Sequence, residues 1–462
     1  MKAIDLPAFR FRNLKNNLFF ASLLFTIGLL STSCNNDDAD EPIVPFTLEE
    51  NVQLSTQAEV NAFAELRVTQ LSGNLVIGRT TGSSTDDEDP ITDLSGLSLL
   101  TAIEGDLIIS RTSELLELSG LEALNEISGD LIIRLNRELS TTFGLNNLQR
   151  IGGDLEISAN SALNNLDALA SVEGVQNFRF AHNAAMKRLF DMTSINSLNV
   201  VTIEGNTSLE NIAGLNGTSI RELTINGNDV LENLRGLEST TNLASFELRY
   251  NESLKSVEGL ENLRRISDAL VIEYNDMLED LNGMGFLESG PLTLNIANNP
   301  MLTSIDRFRM RNLSSADQGW AVIENNERLR GIEPLQGITA LKTIWITNNP
   351  ELTSLLPLAD LESVNHLNVV ANDGLQSLQG LENLREAGIL YIGGNQGLTS
   401  LEGLSGLTGI SNILQISGNE NLNDLCAITS LIDGGGVQNE LNISSNAFNP
   451  SMNDFAIGNC SN

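Results

Sequence analysis

Stacked carboxylates are the residues of this chain whose type and spacing best suit catalysis or metal binding. Asp106, Asp130 and Asp154 each follow a glycine at the same place in three successive copies of a sequence repeat, so we expect them to stack. Such a stack could bind Ca²⁺ or raise the pKa of one carboxyl group, as in an enzyme that acts on polysaccharides. A Gly-Asp pair also suits a tight turn, which is the interpretation we favour. The acidic run 84–90, STDDEDP, is a second weak Ca²⁺ candidate, because acids in a polar loop are usually just solvated.

The two histidines do not form a catalytic pair. His182 and His366 belong to copies eight repeats apart, which is about 38 Å at the spacing of neighbouring strands. No nucleophile motif accompanies either histidine, and the sequence contains no nucleotide-binding loop and no zinc-ligand spacing. We therefore expect a non-enzymatic protein without a cofactor, and keep a polysaccharide-acting enzyme as an alternative.

A repeat of 22–24 residues must position any site in this chain. Aligned on the last residue of GDLEISAN (153–160), the phrase recurs through most of the sequence, and we call this residue the anchor. A fixed period of this length predicts a solenoid, here of about 16 coils. The anchors are Thr80 and Thr112 in the first two copies, then Asn136, Asn160, Asn183, Asn206, Asn228, Asn251, Asn275, Asn299, Asn326, Asn349, Asn372, Asn395, Asn419 and Asn446.

Each copy predicts one short strand followed by tight corners. Aliphatic residues stand five and three places before the anchor, as Leu414 and Ile416 do before Asn419, and this alternation points both side chains inward. Leucines then recur every three residues, but a glycine such as Gly403 in each copy argues against a helix. The anchor asparagine suits a corner, where its side chain can bond unpaired backbone groups. Stacked copies should therefore form a buried asparagine ladder.

The pattern GLxxLxxIxGDLxIxxNxxLxxL resembles the receptor L domain, the right-handed solenoid of the insulin and epidermal growth factor receptors. It departs from the usual leucine-rich repeat, which continues N-x-L where this chain has N-x-x-L. The resemblance covers most of residues 51–450 and implies a β-rich right-handed solenoid whose exposed sheet and edges bind proteins. Bacterial surface lipoproteins carry similar arrays. No ligand-binding residue of the receptors has a matching motif here.

The N-terminal segment predicts export and lipid anchoring. Residues 1–33 combine a basic start with the apolar stretch 18–30, which is short for a membrane span and typical of a secretory signal. The segment resembles a bacterial lipoprotein signal, which implies that Cys34 is lipidated and that 34–50 is an acidic tether on the outer membrane, facing the cell exterior. A cleaved signal with a chance cysteine is the alternative. A formal net charge of -34 makes nucleic acid an unsuitable partner.

The remaining cysteines and both ends of the repeat predict caps. Cys426 and Cys460 could form a disulfide, with two free thiols as the alternative. At the other end, 55–66 reads as a capping helix with the sequence signature of a capping box. Residues 451–462 break the repeat and form the expected C-terminal cap.

Aromatic residues mark the side of the strands that we expect to face outward, at places four, two and one before each anchor. All three tyrosines and one of the two tryptophans fall there, as do five arginines and five glutamates, so this face should be nearly neutral. Such residues are enriched where proteins recognise partners, and Trp345 and Tyr391, two coils apart, could clasp a sugar ring or a peptide. Stacking that only stabilises the solenoid, or a structural spacer, is the alternative. The candidate residues for binding an extracellular protein or glycan are Arg249, Tyr250, Tyr274, Trp345 and Tyr391.

Overall fold

The structure, a computed structural model, describes residues 44–81, 88–311 and 316–462. The expected signal 1–33, the lipidation site Cys34 and residues 84–87 of the acidic loop lie outside these ranges. The folded unit extends from Pro45 to Asn462. It therefore begins inside the segment 34–50 that the sequence suggested was a tether.

The folded unit is a parallel β-solenoid in which each coil contributes one strand to a main sheet of seventeen strands. Every strand pairs in parallel with the strands of the coils before and after it, so that Leu390 aligns with Leu414 and Tyr391 with Gln415. The strands are β2 (Val52–Leu54), β4 (Leu75–Gly78), β6 (Leu107–Ser110), β8 (Leu131–Arg134), β10 (Leu155–Ser158), β11 (Asn177–Ala181), β12 (Ser197–Glu204), β13 (Ser219–Asn226), β14 (Asn242–Arg249), β15 (Arg265–Glu273), β16 (Thr293–Ala297), β17 (Trp320–Glu324), β18 (Ala340–Thr347), β19 (Ser363–Val370), β20 (Glu386–Gly393), β21 (Gly409–Ser417) and β22 (Glu440–Ser444).

A second sheet of two-residue strands covers the first coils. It comprises β1 (Thr47–Leu48), β3 (Gln70–Leu71), β5 (Ala102–Ile103), β7 (Glu126–Ile127) and β9 (Arg150–Ile151), all parallel. In all of these coils but the first, a Gly-Asp or Gly-Asn pair stands between the short strand and the main strand. In several later coils the two merge into one strand of eight or nine residues, as in β12 and β15.

The core is formed by the aliphatic residues that the repeat predicts. Leu414 and Ile416 are fully buried, and so are Leu398, Leu401 and Leu404 at the three-residue spacing. The chain between strands turns without long helices, which confirms the prediction from the glycines. It uses short 3₁₀ turns at Ser95–Leu97, Asp167–Leu169, Ala213–Leu215, Glu333–Leu335, Leu356–Leu358 and Cys426–Ile428.

The anchor asparagines form the expected buried ladder. All fourteen, from Asn136 to Asn446, are buried, and the backbone N–H of each of the first thirteen donates to the side-chain oxygen of the next anchor. Thr112 starts the ladder with its hydroxyl, which donates to Asn136, and Asn449 accepts the last bonds from Asn446. The ladder satisfies corner N–H groups that the parallel sheet leaves unpaired.

Helices lie at both ends of the solenoid. Helix α1 (Gln57–Glu65) begins at Thr56 with the predicted capping box, and its Val60 is fully buried. It takes the place of the anchor after β2, which adds a coil that the asparagine alignment missed. At the other end lie α2 (Thr429–Asp433), α3 (Met452–Ala456) and a disulfide between Cys426 and Cys460, whose Cα atoms are 4.9 Å apart. No helix in the described ranges is long and apolar enough to cross a membrane.

Candidate functional site

The outward side of the later main strands carries the aromatic residues. Burial alternates along β17 so that Trp320, Val322 and Glu324 point away from the core, six, four and two places before the anchor. We call these three outward rows, together with the residue immediately before each anchor, the outer face of the coils from β11 to β22. Both tryptophans therefore lie on it, although the sequence assigned only Trp345. The signal for Trp320 was available, because the same period of two extends one step further back along the strand.

The residue immediately before the anchor is not a strand residue, as we had expected it to be. In every coil from Arg111 onward this residue has a positive φ, near +55 to +70°, and lies at the corner that follows the strand. Such a backbone suits glycine or asparagine, which occur there as Gly205, Gly227 and Asn298 among others. For bulkier residues this conformation is costly.

Tyr250 and Tyr274 occupy this costly corner position in adjacent coils. Their φ angles are 54° and 56°, and their rings stack with centroids 4.6 Å apart and planes 6° from parallel. They remain 50% and 41% exposed, so the stack buries only part of each ring. Two bulky side chains are thus held in a strained backbone while much of their surface faces solvent.

Arg249, which precedes Tyr250, is paired with acidic neighbours. Its Nε lies 2.9 Å from a carboxylate oxygen of Glu273, and a second guanidinium nitrogen lies 3.5 Å from Glu247. Burial raises the pKa of Glu247, and the nearby Arg249 opposes that rise. The outer face is also more acidic than expected, because the row six places before the anchor adds Glu222 and Glu440 and neither lysine nor arginine.

Trp345 and Tyr391 do not clasp an open space, because the ring of His366 lies between them. The histidine packs edge-on against both rings, with centroid distances of 5.8 Å to Trp345 and 5.7 Å to Tyr391. Burial lowers the pKa of His366. Trp345 Nε1 and His366 Nε2 are buried without a hydrogen-bond partner in the described part of the chain, which costs roughly 1–3 kcal/mol per group.

An open hollow of about 360 Å³ adjoins the exposed side of this cluster. Tyr391 forms one wall, Gln415 and Ser417 form the other, and the glycines 393 and 394 leave its floor without side chains. Val370 and Ile392 complete the lining. Sequence reasoning identified Tyr391 but missed His366 and Gly393, whose places become clear only when coils are compared in register.

A second hollow lies at the N-terminal ends of four strands, β12 to β15. It measures about 470 Å³ and is lined mainly by serines, asparagines and two arginines, Arg221 and Arg265. Arg221 is already paired with Glu222, at 2.5 Å. This hollow lies away from the aromatic rows.

Asp106, Asp130 and Asp154 stack on successive coils, and their contacts favour the turn over the Ca²⁺ site. Oδ1 of Asp106 accepts the backbone N–H of Asp130 at 2.9 Å, and Oδ1 of Asp130 accepts that of Asp154 at 2.7 Å. The ladder continues through amide side chains, because Asn74 accepts from Asp106 and Asn177 donates to Asp154. Burial raises the pKa of Asp154. Across the described ranges no three His, Cys, Asp or Glu residues converge as a metal site would require.

Comparison with known proteins gives matches to solved structures only. No protein-family model matches the chain, and no curated protein does. A leucine-rich-repeat protein from Leptospira interrogans is 17% identical, with 87% of this chain and 91% of that chain covered and a TM-score of 0.28. A leucine-rich-repeat protein from Bacteroides thetaiotaomicron is 12% identical over 76% of this chain and 51% of that chain, with a TM-score of 0.33. At such scores neither match supports an argument about function.

The chain is a leucine-rich-repeat-like solenoid, and the basis for that description is its own repeat, parallel ladders and buried asparagines. Neither of these two structures is described as a receptor L domain, so that resemblance stays an expectation.

Proposed function

We propose that this chain is a non-enzymatic binding protein of the cell surface whose outer face engages an extracellular protein or glycan. The observation that carries the proposal is the Tyr250–Tyr274 stack, which is exposed and strained at once. Strained backbone persists where function requires it, and a corner that accepts glycine in neighbouring coils does not require tyrosine for folding. Tyrosine and tryptophan also contribute much of the binding energy in protein interfaces.

The cluster of Trp345, His366 and Tyr391 also supports the outer face as the binding surface. Trp345, His366 and Tyr391 lie on the outward side of three consecutive strands, and Trp320 precedes them on the neighbouring strand. A repeat protein offers a long surface of this kind, because each coil contacts only its neighbours and adds area without altering the core.

Anchoring by lipid on the outer membrane is part of the proposal. The basic start, the apolar stretch 18–30 and the acidic run after Cys34 support it. Metabolic labelling of the full chain with an alkyne fatty acid in a Gram-negative host tests it. The parent protein should carry the label and a Cys34→Ser variant should not, whereas an unlabelled parent would contradict lipidation.

Binding is tested by screening the chain without residues 1–33, as its Cys34→Ser variant, against glycans and extracellular matrix proteins. A quadruple alanine variant of the outer face should lose the hit while keeping its melting temperature. The matched control replaces four exposed apolar residues outside the outer face and should keep the hit. Retention by both variants would move the site away from the outer face. The outer-face variant changes Tyr250, Tyr274, Trp345 and Tyr391, and the control changes Leu116, Phe143, Phe286 and Leu356.

A further inference from the structure

We propose that the hollow beside Tyr391 is a subsite for one sugar ring of a neutral glycan. This inference rests on the proposed binding function and names the class of ligand for one part of the outer face. It is argued from the shape of the hollow, the chemistry of its two walls and the absence of charge around it.

The shape comes from Gly393, the glycine of the hollow's floor within β20. Its φ is not positive, so the backbone conformation does not require glycine. The equivalent outward residues in the flanking coils are Val370 and Ser417. A glycine inside a strand lowers stability and often marks a place where a ligand or another backbone approaches closely. An added Cβ would lie 3.2 Å from the Ser417 carbonyl oxygen, a tight contact, and 3.9 Å from Ser417 Oγ, so a larger side chain here would occupy the floor of the hollow and press on Ser417.

The first wall is the ring of Tyr391. Tyr391 and Gly393 lie on the same side of β20, because they are two positions apart along the strand. The ring of His366 packs against the ring of Tyr391, with 5.7 Å between their centroids, and His366 is not part of the hollow's lining. The ring is therefore held in place by its neighbour while it lines the hollow. An aromatic face of this kind suits the apolar C–H face of a pyranose.

The second wall supplies directed polar groups. Gln415 Nε2 donates to Ser417 Oγ at 3.2 Å, which orients the amide oxygen of Gln415 and leaves the serine hydroxyl its own hydrogen to donate. One acceptor and one donor thus lie beside the aromatic ring in the lining of the hollow. Sugar hydroxyl groups, which both donate and accept, match this pair.

The lining contains no charged side chain, although the chain as a whole carries a formal net charge of -34. An acidic sugar would find no cation here, so the ligand class is a neutral one. The volume of about 360 Å³ lies near the lower end of the range of about 300–1,000 Å³ that is usual for small-molecule sites.

The test measures binding of neutral hexasaccharides of glucose, mannose, galactose and xylose by calorimetry and glycan array, with oligogalacturonate and heparin oligosaccharides as acidic probes. Tyr391→Ala removes the first wall, and Gly393→Val fills the floor with the residue that β19 carries at the same place. We expect at least one neutral probe to bind and both variants to weaken it about tenfold or more, as the loss of a stacked ring and of its space would. Phe286→Ala, an exposed residue outside both the outer face and the hollow, should change affinity less than twofold.

Several outcomes overturn the subsite. Equal affinity of parent and Gly393→Val variant, at matched melting temperatures, would place the sugar elsewhere. Binding of acidic probes alone would contradict the neutral class. A protein ligand with no sugar bound would overturn the subsite and leave the proposed function standing, whereas no ligand of any class would overturn both.

Discussion

Replacing Asn275 by alanine tests whether the asparagine ladder holds the coils together. The Asn275 side-chain oxygen accepts the backbone N–H of Asn251 at 3.2 Å, and its Nδ2 donates to the carbonyl oxygens of Leu248 and Glu273 at 3.0 Å. The residue is fully buried, so water cannot replace these bonds. Alanine at this place leaves the backbone N–H of Asn251 without its acceptor and deprives two carbonyls of a donor. It also breaks the side-chain bonds to the anchors on either side, Asn251 and Asn299.

The expected loss of stability is large for one side chain. An orphaned buried N–H costs roughly 1–3 kcal/mol, and each carbonyl that loses its donor adds on the order of 1 kcal/mol. We expect the free energy of unfolding to fall by about 3–5 kcal/mol. The matched control is Asn262→Ala, an exposed residue of the same coil that makes one bond of 2.9 Å to the carbonyl of Glu238. That change should cost less than about 1 kcal/mol.

Urea titrations followed by circular dichroism and by tryptophan fluorescence measure both variants. The two tryptophans lie in neighbouring coils, so divergence of the two probes would also reveal non-cooperative unfolding. Hydrogen exchange should show lost protection at Asn251 and in the strands on either side. If Asn275→Ala costs no more than Asn262→Ala, the ladder does not stabilise the fold as argued here.

Three further predictions concern titration and the C-terminal disulfide. Burial raises the pKa of Asp154 above its ordinary value, so folding disfavours the charged form of this carboxyl group. Its neutral form therefore contributes stability at low pH, and that contribution is lost as pH rises through the folded pKa. Asp154→Asn should therefore be more stable than the parent at pH 7, by less than about 1 kcal/mol after solvent screening, with the difference shrinking in melting scans toward pH 3. Burial lowers the pKa of His366, so stability should fall as pH drops below about 6.5, and a His366→Phe variant should flatten that part of the profile of melting temperature against pH. Replacing Cys426 and Cys460 by serine opens the loop that joins these residues, which are 34 positions apart, and should lower the free energy of unfolding by about 3–4 kcal/mol. Hydrogen exchange should then be faster in β22 and α3 but unchanged in the central strands.

The repeating parts of the fold could be predicted well from the sequence, because each feature recurs at the same place in many copies of the repeat. The inward pairs such as Leu414 and Ile416, the asparagine ladder and the capping box at Thr56 all follow from periodicity or local bonding. The extra first coil was missed because α1 begins where an anchor would stand. The left-handed corner was missed because tyrosine and arginine do not signal a positive φ.

The candidate site was predicted less completely than the fold. Tyr391 was found because aromatic residues are scarce and fall at repeat positions. Insertion of His366 between Trp345 and Tyr391 depends on which rotamers fill the space between neighbouring coils, and spacing along one strand does not specify that. The hollow depends on a side chain that is absent at Gly393, which is a weak signal in a chain with 38 glycines.

The asparagine ladder gives the solenoid a direction, like that of a polar filament. Each coil from Asn136 onward presents an acceptor to the coil before it and donates its own N–H to the coil after it, so the two ends are chemically different. One end starts with a hydroxyl that donates to Asn136, at Thr112, and the other is closed by the amide of Asn449. The ladder itself therefore sets no fixed number of coils, since each anchor junction from Asn136 to Asn446 offers the same two groups. The terminal coils cannot be exchanged with interior ones, and length can change only in steps of one complete repeat.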